Sequence, residues 1–189
     1  MAEPVDTATA ILASAAAMLR EQTFDDISYR ALGDAVGVSE RTVYRQYPTR
    51  SHLLAALATW VEQTHFAVPP FVTIEEFRTA IRARFRRFDE APAFAFVCAR
   101  AATISPTDDV ETSYLTRAIE ALLATRAPTL NARDLQRVAA TLRYFASAQF
   151  WARCRAGFDM DAEEIGDIFD GTLDLAMGGR PSQTWVSAG

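Results

Sequence analysis

Apolar residues recur along this chain at three- and four-residue spacing, and no sustained alternation of apolar and polar positions replaces that rhythm. The pattern predicts helices and no strands. Over residues 6–22, Ile11, Ala15, Met18 and Leu19 fall on one stripe of a first helix. The run Thr23-Phe24-Asp25-Asp26-Ile27 breaks it. Ser28 is placed to cap a short helix over 29–35 that turns Leu32 inward, with Val36 at its end. Gly37 follows where a left-handed residue is needed, and Ser39 caps a third helix reaching Gln46. Pro48 cannot extend that helix, and Thr49 caps a fourth over 50–66 with Leu53, Leu54 and Leu57 on its inner face.

Pro69-Pro70 is the clearest punctuation in the chain, and it sets the expected boundary between two parts. Thr73-Ile-Glu-Glu76 reads as a capping box that starts a helix to about Glu90. Pro92 opens a short apolar helix over 92–103, and Ser105 to Asp109 form a loop and cap ahead of a helix over 109–126. Pro128 breaks that helix, and Asn131 caps a long one to about Ala156, closed by Gly157. Asp161 caps the last helix, which runs to about Met177 before Gly178-Gly179. The expected architecture is all-α with about nine helices. A first domain over 1–50 joins through a linking helix, 50–66, to a larger domain over 67–180, and 181–189 form a loose tail.

Composition changes this picture little. Half of the 189 residues are hydrophobic and 23% are charged, so a core can form without disulfide staples. Cys98 and Cys154 sit in no CxxC and near no metal-binding spacing, and are expected as buried free thiols in a reducing compartment. No window approaches the ~18 apolar residues of a membrane span, which leads to the expectation of a cytoplasmic protein. Net charge is −5, which disfavours broad coating of nucleic acid. The exception is local: residues 39–50 hold Arg41, Arg45 and Arg50 against Glu40 alone.

That basic stretch follows the corner Ala35-Val36-Gly37-Val38-Ser39. A tight turn between two short helices, plugged by Val38 and capped by Ser39, is how a helix-turn-helix offers its second helix to the major groove. Val43 points inward, while Glu40, Arg41, Thr42, Tyr44 and Arg45 point outward. Guanidinium groups suit guanine or phosphate, a hydroxyl suits phosphate, and a methyl suits thymine.

The run ISYRALGDAVGVSERTVYRQYPTRSHLL resembles the signature of the TetR family of bacterial regulators, through Leu32, Val36, Gly37, Val38, Ser39, Thr42, Val43, Tyr44, Tyr47, Arg50 and Leu53. Three positions depart from it: Arg41 replaces the family's glycine, Gln46 its histidine and Arg50 its lysine. The basic arm that precedes the first helix in many members is here the acidic MAEPVD. The resemblance implies that Ser39, Tyr44 and Arg50 hold phosphates, with Tyr47 supporting the corner and reaching toward the DNA backbone as a further DNA-binding residue. It implies that Arg41, Thr42 and Arg45 read bases, and that Ser28 and Tyr29 meet a flanking phosphate. It further implies a double-stranded DNA operator bound by a homodimer paired through the last two helices, a small-molecule effector in the larger domain, and repression as the outcome.

In that larger domain, aromatic residues come in two clusters with polar groups among them. Phe85, Phe88, Phe94, Phe150 and the polar Arg100, Tyr114, Tyr144 and Gln149 are the candidate lining of a mostly apolar effector site. No cofactor or metal is expected. An enzyme is disfavoured: neither His52 nor His65 has a nearby Cys or a Ser in a nucleophile turn, and no GxGxxG, phosphate loop or HExxH occurs. The alternative is a helical sensor or partner-binding protein of the same fold without sequence-specific DNA binding.

Overall fold

The computed structural model of the protein describes residues 6–104 and 110–178. The expected loop at 105–109 and the tail at 181–189 lie outside the described residues. Every long regular element among the described residues is an α-helix: α1 Thr7–Met18, α2 Tyr29–Val36, α3 Glu40–Gln46, α4 Arg50–His65, α5 Ile74–Glu90, α6 Pro92–Ile104, α7 Val110–Arg126, α8 Ala132–Phe145, α9 Ala148–Phe158 and α10 Ala162–Ala176. A single 3-10 turn, Phe24–Asp26, lies between α1 and α2.

Among the described residues the count is ten helices rather than nine because the long helix expected over 131–156 is two. Its break falls at Ser147, whose Oγ donates to Tyr144 O at 2.6 Å and accepts from Phe150 N at 3.2 Å. A serine hydroxyl competes with the backbone for hydrogen bonds, so here it ends one helix and caps the next. The end of α9 also differs from expectation. Gly157 stays helical, and Asp159 takes the left-handed conformation at φ 54°, which a short polar side chain tolerates.

The helices gather into two compact units, one holding α1–α4 and α6, the other α5 and α7–α10. In the first unit, Ile11, Leu32, Val43, Leu53, Leu57 and Val61 are fully buried. Although α6 lies beyond Pro69-Pro70, it packs against α4, and the Cys98 thiol points at Ala58 O, 3.7 Å away. In the second unit the core is aromatic. The Phe85 ring lies 6.2 Å from both Phe88 and Phe169, and Phe88 lies 5.6 Å from Trp151. Asp89 ties three helices of this unit: one oxygen accepts from Trp151 Nε1 at 2.8 Å, the other from Ala162 N at the start of α10 at 2.9 Å. Across the outside of α5 and α10, Arg78, Arg82 and Arg86 face Glu163, Asp167, Asp170 and Asp174 in a ladder of ion pairs.

Candidate nucleic-acid interface

Three serine or threonine caps and one glycine corner shape residues 28–50. Ser28 Oγ accepts from Ala31 N at 3.0 Å, fixing the start of α2. Gly37 ends α2 at φ 76°, a backbone state that costs glycine nothing. Ser39 Oγ then accepts from Thr42 N at 3.2 Å and lies 2.9 Å from Thr42 Oγ1. Thr49 Oγ1 accepts from His52 N at 3.2 Å and opens α4.

A second glycine matters more than the sequence suggested. Gly33 is buried on α2 where the corner folds back over it, and Val38 N donates to its carbonyl at 2.9 Å. A methyl at position 33 would stand 2.7 Å from Val38 O and 3.3 Å from Glu40 N, both backbone atoms. The closeness of α2 to the first turn of α3 therefore depends on Gly33. Its signal in the sequence is a glycine inside a helical run, where alanine would be the better helix former.

Behind the corner, two tyrosines hold the pair of helices to their own unit. Tyr29 is buried, and its hydroxyl donates to Tyr47 O at 2.8 Å. Tyr47 is buried as well, and its hydroxyl donates to Ala8 O of α1 at 3.1 Å. Burial raises both phenols above their ordinary value, so both remain hydroxyl donors at neutral pH. Tyr29 therefore faces inward, whereas the resemblance placed it on a phosphate.

The outward face of α3 is different. Arg41, Tyr44 and Arg45 are exposed, and the Tyr44 ring lies 4.4 Å edge-on from that of Tyr29. Arg41 and Arg45 make no ion pair or side-chain hydrogen bond among the described residues. Thr42 is half-buried, with its hydroxyl against Ser39. Ser28 and Ser39 are exposed at the starts of α2 and α3. The structure thus brings Ser28, Ser39, Arg41, Thr42, Tyr44 and Arg45 onto one helix pair, with Thr42 half-buried and the others exposed.

Arg50, expected on a phosphate, has its fork turned inward. Nη1 donates to Ile27 O at 2.6 Å and Nη2 to Phe24 O, while the guanidinium carbon lies 4.2 Å from the centroid of the Phe24 ring. A basic residue opening a helix after a cap reads as an outward clamp. Nothing in the local sequence signals that two carbonyls more than twenty residues upstream would claim it.

The candidate effector residues are not brought together as one set. Phe94 and Arg100 belong to the first unit, where Phe94 lies 4.8 Å from the His65 ring and Arg100 pairs with Asp25 at 2.8 Å. Phe85 and Phe88 are fully buried in the second unit's core. Phe150 is also buried there, 6.2 Å from Tyr144, whereas Tyr144 and Tyr114 are exposed and Gln149 is half-buried. Sequence reasoning missed Arg84 of α5. It is 2% exposed in this unit, with its guanidinium 5.3 Å from the Phe88 ring centroid. Cys98 and Cys154 are both free and buried. Among the described residues no cluster of histidine, cysteine or carboxylate side chains could hold a metal ion, and no helix is long and apolar enough to cross a membrane.

Comparison with known proteins adds to this geometry. Residues 11–57 match the bacterial regulatory proteins of the tetR family. No curated protein matches the chain. Among solved structures, a TetR transcriptional regulator from Rhodococcus sp. RHA1 is similar in fold, with a TM-score of 0.65 over 91% of this chain and 97% of that one, at 14% identity. The matched segment runs from α1 to the middle of α4 and encloses the glycine corner, so residues 11–57 form a helix-turn-helix segment like that of the tetR-family regulatory proteins, and the chain shares the fold of the Rhodococcus regulator.

Proposed function

We propose that the protein is a ligand-responsive repressor that binds a near-palindromic operator as a dimer and is released by a small, mostly apolar effector. One observation carries the DNA half of this reading: α3 is capped, braced from behind, and left with Arg41, Tyr44 and Arg45 facing outward. Arg41 and Arg45 lie one turn apart, so both can reach the edges of a major groove, while Ser39 and Tyr44 suit phosphates at its margin. A twofold pair would present two such helices about 34–36 Å apart, or a multiple of that distance. The partner surface proposed is that of α8, α9 and α10, where Tyr144, Phe158 and Leu175 are at least half exposed.

The larger unit is the proposed effector domain, with Tyr144, Gln149 and Phe150 nearest to one another along its chain. An effector acts only through the difference in its affinity for two states, so operator and effector weaken one another by the same factor. The function is regulation rather than turnover, in the cytoplasm.

A gel shift on DNA flanking the protein's own gene, at low and physiological salt, tests the core of this reading. Arg41→Ala is expected to weaken operator binding by about 1–3 kcal/mol and to relax the preference at one base position. A wild-type protein that retards no duplex at either salt would leave a helical sensor of the same fold.

A further inference from the structure

The inward turn of Arg50 has a counterpart on another helix. Arg100 of α6 reaches the same place: its guanidinium carbon lies 5.8 Å from the Phe24 ring centroid, and Nη1 is 2.8 Å from Asp25 Oδ2. The segment Phe24–Ile27, with only a 3-10 turn of its own, is thus held by one cation from α4 and one from α6. Phe24 and Ile27 are buried, and their carbonyls accept charge-assisted bonds from Arg50. An ammonium group could not serve both carbonyls as a planar fork does. Two residues past Ile27, Tyr29 carries the constraint onward. Its hydroxyl holds Tyr47 O at the end of α3, its ring backs Tyr44, and the Arg50 guanidinium lies 5.8 Å from it.

We propose that Arg50 and Arg100 are positioning residues for nucleic-acid binding. Through Phe24–Ile27 and Tyr29 they fix the pitch at which α2 presents α3, and Arg50 makes no phosphate contact. The proposal rests on the reading that α3 meets duplex DNA. It goes beyond that reading by assigning α6 a hold on the DNA-binding helices through a named pair, Arg100 and Asp25.

The test uses the full chain and a duplex that the wild-type protein selects from a random pool. Dissociation constants are measured across a salt series for wild type, Arg50→Lys, Arg50→Met, Arg100→Met and the charge swap Asp25→Arg with Arg100→Asp. Amide exchange of the DNA-free proteins is read in parallel. Arg50→Met is expected to bind at least about tenfold more weakly with the wild-type salt slope, because no phosphate contact is lost. Its α2 and α3 amides should exchange at least about tenfold faster, while those of α5 and α7–α10 keep their rates. Arg50→Lys should fall between, Arg100→Met should show the same pattern at smaller amplitude, and the charge swap should recover part of the Arg100 loss. A salt slope reduced by about one, with exchange unchanged, would make Arg50 a phosphate ligand and overturn the proposal. Unchanged exchange in both Arg50→Lys and Arg100→Met would overturn it too, and these milder variants decide the matter if Arg50→Met does not fold. Should the wild type select no duplex, the DNA-binding reading fails on its own, and the exchange arm still decides whether the two arginines hold α2 and α3.

Discussion

The helix-turn-helix and the C-terminal unit are held by ties of different reach. Within residues 28–52 each helix start is set by a cap that spans three residues, Ser28 to Ala31, Ser39 to Thr42 and Thr49 to His52, with the longer ties of Tyr29, Tyr47 and Arg50 behind them. In the C-terminal unit they join helices far apart in sequence. Trp151 donates to Asp89 across 62 positions, and Arg78 meets Asp174 across 96. Local caps fix the direction in which a short helix leaves a turn, which suits an element that must present side chains at a set angle. Distant ties knit long helices into one body around aromatic rings, which gives the second unit its stability but no single outward-facing motif.

The largest test of that contrast is in the aromatic core. Phe85 is fully buried between Phe88 and Phe169, so Phe85→Ala should cost about 3–5 kcal/mol through lost burial and a cavity. Denaturant unfolding measures the loss, and amide exchange shows where it falls. Protection is expected to drop in α5 and α10 while α2 and α3 keep theirs. If α2 and α3 lost protection to the same extent, the two units would unfold as one, and the contrast would break.

Two glycines sharpen it with opposite signs. Gly33→Ala brings a methyl to 2.7 Å from a backbone oxygen that cannot swing away. Overpacking of this kind costs about 1–3 kcal/mol, which outweighs the ~1 kcal/mol that alanine returns in helix propensity. The variant should melt lower and lose operator affinity, since α2 and α3 must part. Gly157→Ala places its methyl in open space inside the last turn of α9, so only the propensity gain remains. That variant should be stabilised by about 0.5–1 kcal/mol, read as a higher melting temperature with operator binding unchanged.

The same division explains what the sequence disclosed. Ser28, Gly37, Ser39, Thr49 and the Thr73–Glu76 box are local rules written in neighbouring residues, and each one is seen in the structure. Ser147 is local too, yet its cap is hidden in the sequence because alanine and aromatic residues on either side carry the helical period straight through it. The inward fork of Arg50, the grip of Asp89 on Trp151 and the arginine ladder on α10 depend on which helices become neighbours. Periodicity marks the faces of such helices but not their partners. The candidate effector residues suffered most from this. Phe94 and Arg100 share an aromatic-rich stretch of sequence with Phe85 and Phe88, but the chain turns between them into the other unit.

Acid gives the smallest and most selective test. His65 in the first unit is packed near Phe94 and Trp60, and burial, with a smaller contribution from Arg20, holds its imidazole below the ordinary value. The unfolded chain therefore takes up this proton first. Above about pH 6.5 both states are neutral and stability is flat; as pH falls from there toward the lower folded value, stability drops. Glu163 in the second unit behaves differently. The hydrogen bond from Arg86 holds its carboxyl below the usual value, so its contribution is complete above the ordinary glutamate range and is lost only as pH falls through the lower folded value. Acid should loosen the first unit before the second, and exchange measured at pH 7, 6 and 5 should show protection falling in α4 and α6 while α5 and α10 hold. His65→Gln removes the early loss, because glutamine has no proton to gain, and leaves the later one in place. An early loss that persists in His65→Gln would put the titrating group elsewhere in the first unit, and an early loss in α10 would mean that the arginine ladder does not protect its carboxylates.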